Sequence, residues 1–261
     1  MVIVENLVKT FKLSRQQKRE MGESFQGNTI DAVRNINFTC QPSRVFALLG
    51  PNGAGKTTTL RMIATMLKPS SGSISVAGQD TVKQSQSVRK HLGFLTGNTG
   101  LYDRLTANEM VRYFADLHGM DRSSYEKQRN HLFGLLDMEE FADRRIGKLS
   151  TGMKQKVSIV RTIIHDPDVI VFDEPTSGLD VVTSRNIVQL IRDCRDAGKT
   201  VIFSTHRMGE VSLLSDDLAI IHKGQLQYND TFENFQNQMQ TPTLEDEFIR
   251  FVEQAEDAVG V

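Results

Sequence analysis

Residues 50–57, GPNGAGKT, fit the spacing G-x-x-x-x-G-K-[ST], with Gly50, Gly55, Lys56 and Thr57 at the fixed positions. Glycines at Gly50, Gly53 and Gly55 let the backbone turn its N–H groups inward, which makes a cradle for an anion. A helix that starts at the end of such a loop adds its positive terminus. The ammonium group of Lys56 is then within reach of the β- and γ-phosphates of a nucleotide, and the Thr57 hydroxyl suits Mg²⁺. A second pattern lies far downstream. Residues 169–172, VIVF, run into Asp173, Glu174 and Pro175. An aspartate at the end of a buried strand can hold the hydration shell of Mg²⁺. A glutamate one residue later can orient and deprotonate an attacking water. Together the two patterns describe hydrolysis of a phosphoanhydride.

These groups need a rigid frame. Residues 44–49, RVFALL, form a continuous apolar-rich run ending at Gly50, as a strand buried on both faces does. A helix is expected over 58–67, stopped by Pro69. Strands are expected at 2–8, 32–40, 73–76, 169–172, 201–204 and 218–222, and a helix at 182–197. Residues 12–28 are polar and read as an insertion at a hairpin tip. Helices are expected at 88–92, 107–118, 125–136 and 152–164. The order is that of a parallel α/β sheet interrupted by a helical block. In residues 241–252, Leu244, Phe248, Phe251 and Val252 recur at helical spacing, with Thr243 and Asp246 as a capping pair.

Composition narrows the function classes. The chain has 261 residues, 39% hydrophobic and 24% charged, with net charge −1. Near-neutral charge argues against binding nucleic acid by bulk electrostatics. No apolar run approaches the ~18 residues of a membrane span. The first residues, with Glu5, show no signal-peptide pattern. Cys40 and Cys194 form no metal or redox motif and read as reduced, partly buried thiols.

Further residues resemble one family. Leu149-Ser150-Thr151-Gly152-Met153-Lys154-Gln155 is similar to the LSGGQ signature of ATP-binding-cassette (ABC) ATPases, and lies just before the 169–173 strand, as it does there. Ser177-Gly178-Leu179-Asp180 resembles the D-loop, Thr205-His206 the switch histidine, and 214–224 the segment that follows. The resemblance implies a P-loop (RecA-like) α/β fold with a parallel-sheet core, an N-terminal antiparallel β portion and an inserted all-helical subdomain. On that pattern 1–86 and 168–230 form the nucleotide-binding core, 87–167 the helical subdomain, and 231–261 a C-terminal extension. It implies ATP on Gly50, Pro51, Asn52, Gly53, Ala54, Gly55, Lys56, Thr57 and Thr58, and Mg²⁺ on Thr57 and Asp173. Adenine would lie on Phe11, with Phe25 as the rival aromatic. Glu174 and His206 would carry hydrolysis. Two copies would sandwich ATP, with Ser150, Thr151, Gly152, Met153 and Asp180 of one facing the nucleotide of the other. A separate permease would hold the chain at the cytoplasmic face of the membrane.

The sequence also departs from that family. Gly97 stands where a glutamine is usual, leaving Asn98 as the adjacent amide, and Thr151 and Met153 replace a glycine and a glutamine of the signature. These departures, with 100–109 and the tail, resemble the NatA-type branch of efflux ATPases, which implies sodium as a candidate cargo. A non-transport ABC ATPase acting on nucleic acid or ribosomes is the alternative. Such proteins usually carry paired cassettes, coiled coils or basic arms, none of which is seen here. A non-catalytic scaffold is a third reading, against which the intact Lys56, Asp173, Glu174 and His206 weigh.

Overall fold

The computed structural model describes residues 1–14, 16, 18, 27–97 and 100–257. Its centre is a six-stranded sheet of β3 (Val45–Leu49), β6 (Leu92–Leu95), β7 (Val169–Asp173), β8 (Thr200–Thr205), β9 (Asp217–His222) and β10 (Gln225–Thr231), in the order β10-β9-β3-β8-β7-β6. All pairings are parallel except that of β10 with β9. Side chains alternate between two cores. Val45, Ala47, Leu49, Ile170, Phe172, Val201 and Phe203 face one, and Phe46, Leu48, Val169, Val171 and Ile202 face the other. Burial on both faces is why these strands read as unbroken apolar runs.

The second core is closed by an antiparallel sheet, β2-β1-β4-β5, built from β1 (Val2–Lys12), β2 (Thr29–Cys40), β4 (Ser71–Val76) and β5 (Gln79–Asp80). β1 and β2 run beyond the expected 2–8 and 32–40. Phe11 pairs with Ile30 and Lys12 with Thr29, and Leu13 N–H donates to Asn28 O at 2.9 Å. The hairpin thus extends to Leu13 and Asn28, and residues 15, 17 and 19–26 of the polar stretch lie outside the described residues.

The phosphate-type loop leads from β3 into α1 (Lys56–Ile63). α2 (Ser85–His91) precedes β6. Between β6 and β7 lie α3 (Ala107–Leu117), α4 (Arg122–Leu135) and α5 (Thr151–Ile163). Thr106 and Glu109 form a capping box on α3, and Asp121 and Ser150 cap α4 and α5. β6 falls within the 87–167 stretch assigned to helices, yet pairs with β7. Gly93 permits this: a Cβ there would lie 2.5 Å from Thr162 O on α5. After β7 come α6 (Val181–Asp196), then α7 (Met208–Leu214) between β8 and β9, and α8 (Phe232–Gln238) and α9 (Leu244–Asp257) after β10. β10, α7 and α8 carry no clear period and were not expected. Cys40 and Cys194 are free and buried. Among the described residues no helix is long and apolar enough to cross a membrane.

α9 follows its expected period. Leu244, Phe248 and Phe251 pack on the first core, Val252 is partly buried, and Thr243 Oγ1 accepts from Asp246 N–H at 3.1 Å. Glu247, 1% exposed, anchors the segment leading into the helix. It binds the Arg250 guanidinium and accepts from the N–H groups of Gln240 (3.0 Å) and Thr241 (3.2 Å). The Arg250 hydrogen bond, helped by Gln240 N–H and the Thr241 hydroxyl, holds its carboxyl down to about 2. A depressed carboxyl stabilises the fold above its unfolded value, and that contribution is lost as pH falls through the folded one. Thermal melts across that acidic window should show the parent losing more stability than Glu247→Gln. Parallel losses would remove Glu247 as the acid-sensitive anchor.

Candidate active site

The loop 50–57 is squeezed between strands. A Cβ on Gly50 would sit 2.3 Å from Ile221 O of β9, and one on Gly55 2.5 Å from Ala32 O of β2. Gly55 also has φ 109°, a conformation that L side chains rarely adopt. Lys56 begins α1 and is 5% exposed. Its ammonium group turns back into the loop and donates to Gly50 O at 2.6 Å and Pro51 O at 3.0 Å. Burial lowers its pKa, against the opposing pull of Glu174 and Asp173.

The exits of β7 and β8 meet this loop. Asp173 Oδ1 accepts from Thr57 Oγ1 at 3.1 Å and from Ser204 Oγ at 2.6 Å. Glu174 has φ 49°, and its N–H donates to Ser204 Oγ at 3.1 Å and Ser204 O at 3.2 Å. A non-glycine residue in that region costs about 1–3 kcal/mol and needs surrounding bonds to persist. Its Oε1 lies 3.2 Å from His206 Nδ1 and 3.9 Å from Lys56 Nζ. A carboxylate, an imidazole and an ammonium thus converge at the C-terminal ends of parallel strands, where α/β sheets take their ligands. Thr57 and Asp173 supply hard oxygens, a donor set that fits Mg²⁺, which keeps several waters and takes few protein ligands.

A second cluster is built on two helix starts. Ser150 accepts from Met153 N–H at 3.3 Å, and Asp180 accepts from Thr183 N–H at 2.9 Å and Thr183 Oγ1 at 2.8 Å. Those Thr183 bonds depress the Asp180 carboxyl. A Cβ on Gly152 would lie 3.5 Å from Thr183 Oγ1 and 3.8 Å from Asp180 Oδ2, so the two helix starts adjoin. Val181 and Val182 beside them are exposed. Gln155 Nε2, donating to Pro175 O at 2.9 Å, ties this cluster to the loop after β7. Among the described residues no hydrogen bond or ion pair joins 150–153 to the loop 50–57.

Phe11 is 37% exposed on β1, with the Lys9 ammonium 5.1 Å from its ring centroid. Its partner Ile30 lies two residues before Ala32, whose carbonyl abuts Gly55. Phe25 and Asn98 lie outside the described residues. Among the described residues nothing lies within 4 Å of a Cβ position on Gly97, which has no left-handed φ. Close to it a groove of about 710 Å³ is lined by Arg89, Lys90, Phe94, Phe114, Leu117 and His118, among others. Ser204 was missed in the sequence. Its signal is register: β7 and β8 pair Asp173 with Ser204.

A family model described as ABC transporter matches residues 33–177. The ABC transporter ATP-binding protein NatA of Bacillus subtilis (strain 168) is 45% identical over 206 residues, 78% of this chain and 84% of that protein. The Nod factor export ATP-binding protein I of Burkholderia lata is 35% identical over 192 residues, 74% of this chain and 63% of that protein. An ATP-binding subunit of an ABC transporter shares the fold with TM-score 0.83 at 23% identity, covering 96% of this chain and 99% of its own. The dimeric post-hydrolysis state of the ATP-binding cassette MJ0796, bound to ADP and Pi, gives TM-score 0.77 at 25% identity, over 88% of this chain and 98% of that one.

Two glycines separate crowding from openness. Gly55→Ala must relieve its contact with Ala32 O and adopt a left-handed φ that costs about 1–2 kcal/mol. It should lower the melting temperature and weaken ATP binding. Gly97→Gln should leave stability within about 0.5 kcal/mol, as for other unconstrained surface sites. Melting curves and nucleotide titrations on both variants check this, and equal damage would refute it.

Proposed function

The chain belongs to the ABC transporter family, and from that premise we propose that it is the ATP-hydrolysing subunit of an exporter, acting on a separate membrane permease. That it is an ATPase follows from the family. The assignment of roles is our reading, and the meeting of Lys56, Glu174 and His206 beside the Thr57–Asp173 pair carries it.

ATP lies with its phosphates in the loop of Gly50, Pro51, Asn52, Gly53, Ala54 and Gly55, capped by Lys56, Thr57 and Thr58 at the start of α1. Phe11 takes the adenine. Thr57 and Asp173 would hold Mg²⁺, which would supply positive charge to offset that of the phosphates. Glu174 aligns a water and takes its proton as the water oxygen bonds to the γ-phosphorus. The bond to the β-phosphate oxygen breaks, and ADP leaves with the electron pair. His206, 3.2 Å from Glu174, holds the carboxylate and the γ-phosphate in register. Lys56, already desolvated in the loop, meets the developing charge at close range.

The sandwich with a second copy supplies what one chain lacks. Ser150, Thr151, Gly152 and Met153 sit at the N-terminal end of α5, whose N–H groups suit the γ-phosphate of the other copy's nucleotide. Asp180 and the exposed Val181 and Val182 belong to the same face. The dimeric state of the MJ0796 cassette supports this arrangement. The groove beside Gly97, basic at Arg89 and Lys90 and apolar at Phe94, Phe114 and Leu117, is the docking place for the permease. That contact holds the chain at the cytoplasmic face of the membrane. The permease selects the cargo, and sodium is the first ion to try. Net charge −1 disfavours the reading as a nucleic-acid or ribosome ATPase.

Glu174→Gln keeps the side-chain shape and removes the base. Turnover should fall ~10²–10⁴-fold while ATP binding survives. An ATP-bound dimer should accumulate on size-exclusion chromatography. Near-normal phosphate release would sink the assignment. Co-purification with the membrane partner, followed by ATPase assays across cations including sodium, tests the permease and cargo.

A further inference from the structure

Glu210 lies on α7 and is 8% exposed. Its Oε1 accepts from the Thr176 hydroxyl and from Arg207 Nη1 at 3.0 Å. Its Oε2 accepts from Thr205 Oγ1 at 2.7 Å. Thr176 and Thr205 are 2% and 1% exposed. The Thr205 hydroxyl also accepts from Arg207 N–H at 3.0 Å. One buried carboxylate therefore joins the loop after β7 to the last residue of β8. Thr176 belongs to the loop that begins at Glu174 and ends at Asp180, where Ser177 N–H donates to Glu174 O at 3.2 Å. Thr205 immediately precedes His206.

Burying a carboxylate whose one close cation among the described residues, Arg207, is itself half-exposed is costly unless its oxygens are satisfied. An apolar residue would fill the same space without that cost, but would leave two buried hydroxyls without their acceptor. Capping α7 needs no such burial, since an exposed acidic residue in the first turn would serve the helix dipole equally. What the buried carboxylate does is fix the distance between the two segments that present Glu174 and His206.

We infer that Glu210 is a positioning residue for hydrolysis, coupling the 174–180 loop to His206 without touching nucleotide. The inference rests on the roles proposed for Glu174 and His206. Because Asp180 closes the same loop, Glu210 also links the dimer-facing end of that loop to the hydrolytic pair.

The test uses the full-length chain with ATP and Mg²⁺, measuring kcat, KM, ATP affinity and melting temperature for Glu210→Ala, Glu210→Gln, Thr176→Val and Thr205→Val. A small misplacement of reacting groups costs on the order of 10²-fold in rate. Glu210→Ala should therefore lose about that much in kcat, and Glu210→Gln roughly 10-fold, because it keeps one acceptor oxygen. KM and ATP affinity should stay within about threefold, the pattern of an interaction used in the transition state. Adding Thr176→Val to Glu210→Ala should cost nothing more, because the two act through one bond. A folded Glu210→Ala with a near-parental kcat overturns the inference, as does full additivity with Thr176→Val. So does a loss of kcat and affinity together that merely tracks the melting temperature. If Glu210→Ala does not fold, the two valine variants decide: unchanged kcat in both overturns the inference. Glu174→Gln run alongside separates the failures. A dead Glu174→Gln beside a normal Glu210→Ala sinks Glu210 alone, and an active Glu174→Gln removes the base assignment and this inference with it.

Discussion

Parallel pairing of β7 with β8 sets Asp173 level with Ser204, and the 2.6 Å hydrogen bond between their side chains closes that register at the sheet's C-terminal edge. One slip of either strand would send every side chain to the opposite face. Asp173 would then leave Thr57, and Glu174 would lose both bonds from its N–H to Ser204. The left-handed backbone of Glu174 could not persist without those bonds. The convergence of carboxylate, imidazole and ammonium is thus a consequence of strand register, held by two cores that bury both faces of the sheet.

The antiparallel sheet completes this from the other side. Ala32 O abuts Gly55, and it would also lie 2.9 Å from a Cβ on Gly224, at the turn between β9 and β10. Gly224 N–H in turn donates to Ala54 O at 2.9 Å. The loop is therefore pinned by backbone from β2 and from the β9–β10 turn at once. A cradle of N–H groups works only if it is already shaped before the anion arrives. Here the shaping comes from main chain pressed on main chain, which glycine alone permits at Gly50 and Gly55.

Much of this was legible in the residues. β3 and β7 showed as apolar runs because both faces are buried, and the loop showed because its glycines and Lys56 have fixed spacing. Thr243 was readable as a cap, since side-chain capping is local. What was hidden depends on distant partners. β6 is a four-residue strand whose place is set by Gly93 against Thr162 O, a contact across 69 residues of chain. The ends of β1 and β2 are stabilised by each other and not by their own pattern. Glu210 looks like an ordinary acidic residue in a short helix, and only the fold brings Thr176 to it. The strain at Glu174 has no sequence signature, because glutamate does not favour positive φ.

The groove near Gly97 is built by groups other than that residue's side chain. Gly97 has no side chain to offer, but Arg161 lies at the same groove, 5% exposed, on α5. Its guanidinium donates to Gly100 O at 3.2 Å and stacks 5.0 Å from the centroid of Phe114 on α3. Burial weakens its hold on the proton, yet arginine stays charged far above neutral pH. Arg161 therefore fastens the chain just past Gly97 to two helices. Thirteen residues of α5 form one rigid rod, with Ser150 at its far end. Gln155 on the same helix donates to Pro175 O at 2.9 Å, next to Glu174. Contacts along α5 thus run from the groove to the residue beside Glu174, with no side chain at position 97 among them.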